Sequence, residues 1–472
     1  MKEARLVVSP SGVASPPEAV VAPRLAPWRW TNLLLIALGL ASLALYRYGL
    51  DFDRTRPTFQ IIPFLKIAFS QCALYALAVW LIWHARPARS TLIVVIVFAA
   101  LFRLSILFAP PFLSDDLYRY IWDGRVQAAG VNPYRYIPAH DALKFLRDET
   151  IYPNINRRDY APTIYPPLAQ MNFFLATRVS EGVVWMKAFM VLCEAVGLYA
   201  LSALLASFKL PRQRVLLVAW HPLVVWEIAG NGHLDALLVA FVALALLAHR
   251  RGSESLTGVL LASAVLVKLF PLVLFPALYR RWSWRMPLAF CVTLLAAYLP
   301  YLSVGARRVL GFLPAYADEE GLQSGTRFFL LQLADNFLGE ARVPRAAYIV
   351  FALLVLGALA LWSLFKSDAK GRDDVWRAAL LATTFTVLLS PHYTWYFVWL
   401  VPFLPFAPAK SFAPLLYLTA ASFMLYGTWL GDKPAQMLRL NASIYVPFAL
   451  LLLFSYRRRG GGRKTIDNLT TT

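Results

Sequence analysis

Apolar runs of roughly 16 to 23 residues recur along almost the whole chain, long enough to cross the hydrocarbon core of a bilayer as helices. Short stretches holding Arg, Lys, Asp, Gly and Pro divide them. This pattern predicts an all-α fold, a polytopic transmembrane helical bundle. Reading from the N-terminus, the spans are 30–48, 59–83, 91–109, 183–208, 215–228, 233–248, 286–302, 346–365, 376–390, 395–406, 412–430 and 443–456. A leaflet-bound helix is expected over 168–179. The run 256–279 is different, because Arg250 and Arg251 precede it and Arg280 and Arg281 follow it. Short loops rich in Arg and Lys stay in the cytosol, so this run must begin and end on the same side. A broken re-entrant hairpin with its apex at Lys268-Leu269-Phe270-Pro271 satisfies that requirement, since Pro ends a helix and irregular backbone is tolerated at depth where protein covers it. Counting the hairpin as two gives about 12 to 14 membrane segments, with both chain ends in the cytosol.

Two stretches are too long and too polar for simple turns, 110–167 and 303–344. The sidedness of Arg86, Arg212, Arg250 and Arg280 places both outside the cell membrane. Loops longer than about 15 residues in a compact fold are functional or disordered, and the density of aromatic residues in the first argues for order. The chain thus divides into a flexible cytosolic tail (1–27), a transmembrane domain (28–456) and a basic cytosolic tail (457–472).

Composition adds two exclusions. With 59% hydrophobic and 15% charged residues among 472, the chain is too apolar for a soluble protein. The net charge of +20 lies in short inter-span loops and forms no basic face of a soluble domain, which excludes nucleic acid as a partner. Cys72, Cys193 and Cys291 all fall inside apolar runs and read as packing residues. Asp51-Phe52-Asp53 imitates a nucleotide-sugar motif on the wrong side of the membrane, and the sequon Asn468-Leu469-Thr470 has no meaning on a cytosolic tail.

The chemistry gathers around Ser114-Asp115-Asp116-Leu117-Tyr118-Arg119-Tyr120-Ile121-Trp122-Asp123-Gly124, just beyond the end of a span. Ser114 is placed to cap a short helix that ends near Gly130, before the turn at Asn132-Pro133. Asp116, Tyr120 and Asp123 would share one face as a polar ridge. Glu227, His233, Asp235, Lys268 and His392 also fall at the outer ends of other segments. Together they predict one outward-facing polar cavity beneath the two loops. Arg103, inside a span, needs a partner and should face the bundle interior. His221 precedes Pro222 and reads as packing at a kink.

The Asp-Asp run, with Asn132-Pro133-Tyr134, Tyr165-Pro166-Pro167, Gly230-Asn231-Gly232-His233 and Lys268-Leu269-Phe270-Pro271, resembles the integral-membrane glycosyltransferases of the GT-C superfamily. The nearest likeness is to bacterial polyprenyl-phosphate-mannose-dependent mannosyltransferases. That resemblance implies a multi-pass protein of the bacterial plasma membrane with its active site on the extracytoplasmic face. It implies a polyprenyl-phosphate-linked sugar donor, mannose favoured, and a lipid or glycan acceptor. Asp116, followed after three residues by the aromatic Tyr120, matches the family's acidic base. Asp115 would orient the loop or hold the acceptor. The donor phosphate would meet Lys268, with Arg103 or Arg327, while His233, His392, Tyr120 and Glu227 would line the substrate site. One base and direct attack imply inversion at the anomeric carbon. Neither a cofactor nor a metal is called for. Other activities compatible with the residues are transport or flipping of lipid-linked sugars, and ligation or polymerisation of lipid-linked oligosaccharides.

Overall fold

The computed structural model describes residues 28–50, 57–84, 88–339, 343–366, 371–431 and 433–457. The expectations for both tails, for Asp51-Phe52-Asp53, for the turn at Arg86 and for the sequon lie outside these residues. Within them every regular element is helical. Among the described residues seven helices are long and apolar enough to cross a membrane: Arg29–Tyr48, Gln60–His84, Arg89–Leu107, Val183–Ser207, Arg285–Val304, Arg345–Lys366 and Pro434–Arg457. Their outer faces leave Leu33, Ile93, Leu192, Leu295, Leu354 and Leu453 exposed, a surface that only lipid can cover.

The chain opens with α1 (Trp28–Tyr48), α2 (Pro57–His84) and α3 (Arg89–Leu107). Then α4 (Asp116–Ala128) and α5 (Pro167–Val179) frame the first long loop, and α6 (Val183–Ser207) follows. Next come a broken stretch over 212–230, α7 (Asp235–Arg251) and α8 (Glu254–Val265).

Seven long helices are about half the number of segments expected, and the difference has a physical cause. Several apolar runs are broken by proline. The stretch 212–230 passes through separate short turns around Trp220-His221-Pro222 and ends in a π-helical turn, Val225–Gly230. Thr394–Phe406 is a 3₁₀ segment containing Pro402 and Pro405, with Phe397 through Phe406 buried. Such backbone is allowed at membrane depth because neighbouring helices, not lipid, surround it. His221 is the kink residue expected: its ring accepts from the Leu223 amide (3.3 Å) and meets Thr419 (3.0 Å).

The run after Arg251 does reverse. After α8 the chain turns at 266–269 and returns through Phe270–Leu274 and Phe275–Leu278. Arg280, at its end, donates to Glu254, at its start (3.0 Å). The two ends of the run therefore lie side by side, with Lys268 at the apex.

The first long loop is ordered, and the expected polar ridge on α4 turns inward. Tyr120 is buried and stacked on Phe173 of α5 (4.5 Å). Asp123 is buried too, paired with Arg119 (2.9 Å) and accepting from Gln170 (2.9 Å). Packing of α4 on α5 claims the Tyr120 and Asp123 part of that face, where Asp123 pairs with protein groups rather than with water. The two long loops also join. Asn132 donates to the Tyr301 carbonyl (2.8 Å), Phe312 N–H to the Thr163 carbonyl (3.0 Å), and Arg157 to Glu319 (2.7 Å).

Candidate active site

The Asp pair is positioned from below by the turn at 231–233. The side-chain oxygen of Asn231 accepts from the amides of Leu113 (3.1 Å) and Phe112 (3.4 Å), which fixes the approach to α4. Gly232 has φ +75, and a Cβ there would lie 2.2 Å from Leu117 Cδ1. Only glycine lets the turn pass so close beneath the helix. Ser114 Oγ accepts from the Asp116 amide (3.2 Å) in a local turn, but the N-cap is Asp115, one residue beyond the position expected, and its side chain makes no cap bond. From above, Asn156 donates to Asp115 Oδ1 (2.9 Å) and Asp116 Oδ1 (2.6 Å), holding the two carboxylates together. Asp115 is exposed, whereas Asp116 is partly buried. Burial, and next the charge of Asp115, pushes the Asp116 carboxyl up to about 6. A carboxylate near that value is ionised at neutral pH and basic enough to accept a proton.

Behind Asp116 lies His233, with Nδ1 4.0 Å from Asp116 Oδ2 and Nε2 3.5 Å from Glu227 Oε2. Glu227 accepts in turn from Tyr426 (2.5 Å) and Asn231 (3.0 Å). Beside this group Lys268 makes a close pair with Asp235 (2.7 and 2.8 Å) and lies 4.7 Å from the centre of the Tyr396 ring.

Two cavities meet at Asp116. The first, about 730 Å³, is mostly apolar and runs between the 266–276 turn and the middle of Arg345–Lys366. Leu353, Leu356, Gly357 and Ala360 share one face of that helix and line it. Asp116, Lys268, Arg327 and Glu320 form its polar wall. The second, about 500 Å³, is polar and aromatic, lined by Asp115, Asp116, Asn156, Arg157 and the rings of Tyr118, Tyr393 and Trp429 among others. Asp116, Ile164, Tyr316 and Trp395 belong to both walls. A carboxylate is thus set at the junction of an apolar channel and a ring-lined polar cleft.

A known family, described as alpha-(1->6)-mannopyranosyltransferase, N-terminal domain, matches residues 51–291, just over half of the chain. The chain belongs to this family. It is a membrane mannosyltransferase of the GT-C type, as the resemblance implied. No match was found among curated proteins.

In the mannosyltransferase some of the expected site residues come together and others do not. Asp115, Asp116, Lys268 and Arg327 line the cavities. Arg103 does not: it faces the interior, donates from Nε to Glu194 (2.8 Å) and from Nη1 to the carbonyls of Ala99 and Ala219 (2.8 Å each), and is engaged there. Tyr120 is consumed in the α4–α5 interface. His233 and Glu227 are buried behind Asp116 and form no part of either wall. His392 also lies off both walls, and burial, with the charge of Arg327, pushes its imidazole down to about 4. It is neutral at pH 7 and supplies no positive charge to a phosphate. Arg327 is itself paired with Glu320. Lys268 is no lone cation, since the fully buried Asp235 holds it.

Sequence reasoning missed Asn156, Arg157, Tyr316 and Trp395 as residues lining the cavities at Asp116. Nothing marks Asn156 in a long loop. Tyr316 and Trp395 look like ordinary interfacial aromatics until the loops are folded together. Arg157 adopts φ +51, a conformation unusual for a side-chain-bearing residue, which only the structure reveals.

Proposed function

We propose that the mannosyltransferase takes mannose from a polyprenyl-phosphate donor and delivers it, on the outer face of the membrane, to a hydroxyl of a glycan or lipid acceptor. The observation that carries this reading is the position of Asp116 where a membrane-depth apolar channel meets a polar, aromatic cleft. The channel suits the isoprenoid chain. Lys268 keeps a third N–H for a phosphate oxygen beyond the two given to Asp235, and a fixed cation in a low-dielectric cavity stabilises a phosphate leaving group. Arg327 lies on the same wall. The cleft suits the acceptor, because sugar rings stack on aromatic faces and bond to Asn156, Arg157 and Asp115 at their edges.

Asp116 removes the proton from the acceptor hydroxyl as its oxygen attacks the anomeric carbon and the bond to phosphate breaks. With one base and direct displacement, a β-mannosyl phosphate becomes an α-mannoside. The test is transfer of radiolabelled mannose from a polyprenyl phosphate by the purified protein, in the presence of an α-mannoside acceptor. Asp116→Asn should lower turnover by about 10²-fold or more at unchanged donor KM, and Asp115→Asn by less. A folded Asp116→Asn protein with normal turnover would overturn the assignment. No transfer from any polyprenyl-phosphate sugar by the wild type would remove the donor class.

A further inference from the structure

Direct transfer to a carboxylate explains Asp116 but leaves two buried groups behind it without a task. His233 is 1% exposed and Glu227 is 0% exposed. Neither ring nitrogen of His233 has a hydrogen-bond partner, yet each has a carboxylate nearby, Nδ1 at 4.0 Å from Asp116 and Nε2 at 3.5 Å from Glu227. A neutral imidazole carries one donor and one acceptor, and leaving both unmatched in the interior costs free energy. A histidine serving only as filler would be replaced at lower cost by an apolar ring. The orientation is enforced instead. The ring stacks on Trp395, centres 4.4 Å apart and planes within 23°, which fixes the plane of the imidazole between the two carboxylates. Glu227 is held by Tyr426, which donates to Oε1 (2.5 Å), and by Asn231, which donates to Oε2 (3.0 Å), the oxygen nearest His233. It projects from the π-helical turn Val225–Gly230, a distortion that recurs at functional sites.

We propose that His233 and Glu227 form a proton relay behind Asp116. This rests on the reading of Asp116 as the base. The acceptor O–H bond breaks and its proton passes to Asp116, while the acceptor oxygen bonds to the anomeric carbon and the phosphate leaves with the electron pair of the broken C–O bond. Asp116 then gives the proton to Nδ1 of His233 as the Nε2 proton moves to Glu227. The imidazole ends neutral in its other tautomer, Asp116 is ionised again, and Glu227 holds one proton. When the products have left, the proton returns along the same path to water. Glu227 starts the cycle ionised, with Tyr426 donating to Oε1 and Asn231 to Oε2. Lys268 and Asp235 face the same group and together contribute little net charge. Both gaps exceed hydrogen-bond length by up to about 1 Å, and catalytic hydrogen bonds commonly tighten only when substrate is bound. The relay has a chemical use. With both cavities filled, water cannot collect the proton from Asp116, and a protonated carboxyl beside the new glycosidic oxygen would favour the reverse reaction. Moving the proton inward removes that acid.

The two residues act through Asp116 as positioning residues, so their test separates turnover from binding. Full-length His233→Gln, Glu227→Gln, the double variant and Asp116→Asn are assayed with a polyprenyl-phosphate mannose donor, and folding is followed by thermal unfolding. Each relay variant should lose about 10-fold or more in kcat at unchanged donor KM. The double variant should be no worse than the weaker single, because a chain already broken is not broken further. The solvent deuterium effect on kcat should report more than one proton in the wild type and a single one in Glu227→Gln. Losses that multiply in the double variant, or a change confined to KM, would overturn the relay. Should His233→Gln fail to fold, Glu227→Gln carries the same comparison. An inactive Asp116→Asn beside fully active relay variants removes the relay alone. An active Asp116→Asn removes the base and the relay with it.

Discussion

Two residues concentrate the energetics of the site. Asp116 accepts a proton only when ionised, and its carboxyl is raised from an ordinary 3.8 to about 6. Turnover should therefore rise with pH through about 6 and then level off on its acid limb. Stability should move the other way. The folded protein binds the Asp116 proton more tightly than the unfolded chain, so that favourable term is full below about 4 and is lost as pH climbs through 6. Opposite slopes of kcat and thermal unfolding temperature between pH 4.5 and 7, with the Asp116 share of both removed in Asp116→Asn, would check this. Lys268 yields a second prediction. Because Asp235 is fully buried against it, Lys268→Met strands a carboxylate, and breaking a buried pair costs about 3–5 kcal/mol. Lys268→Met should fold poorly, while Lys268→Met with Asp235→Asn should recover the fold and still use the donor weakly. Equal thermal stability of the single and double variants would show that the pair does not support the fold.

At the level of elements, the contact between the two loops is the most sensitive point. Gly311 has φ +56, and a Cβ there would sit 1.9 Å from the Thr163 carbonyl oxygen. The adjacent Phe312 amide bonds to that same oxygen. Gly311→Ala must push the loops apart and shift Tyr316 from both cavities. Turnover should fall at least about 10-fold, since small misplacements at a reacting centre are costly, while the spans remain folded by circular dichroism. Unchanged turnover would mean that the loop contact does not shape the site. The same region shows what a sequence can disclose. The helix start within a residue of Ser114, its end by Gly130, the helix over 168–179, the kink at His221 and the reversal at Lys268 all follow from local rules of turns, proline and charge. The burial of Tyr120 and Asp123 does not, because helix spacing shows that they share a face but not what packs on it. Nor does the pairing of Arg103 with Glu194, or of Lys268 with Asp235. Each joins residues far apart in the chain, and a lone charge in an apolar run looks the same whether its partner is protein or ligand.

For the whole molecule, the bonds between the loops at Asn132, Thr163 and Arg157 require 110–167 and 303–339 to lie on one side of the membrane. The Glu254–Arg280 contact requires both ends of the hairpin to lie together. Single cysteines, introduced after Cys72, Cys193 and Cys291 are replaced, should react with an impermeant reagent from outside at Asp141 and Arg308 and from inside only at Glu254 and Arg280. Labelling of Arg280 from outside would overturn the hairpin's orientation. The shared walls at Asp116 carry a consequence for how such a site is inherited. Asp116 and Ile164 come from the portion that matches the family, residues 51–291, whereas Tyr316 and Trp395 come from the portion beyond it. Under the roles proposed, the base and the Lys268 cation sit in the matched portion, and much of the aromatic surface meeting the sugars sits in the other. Drift in the second portion can alter which acceptor is taken while the transfer chemistry stays under separate selection, so two lineages that share the first half need not make the same product.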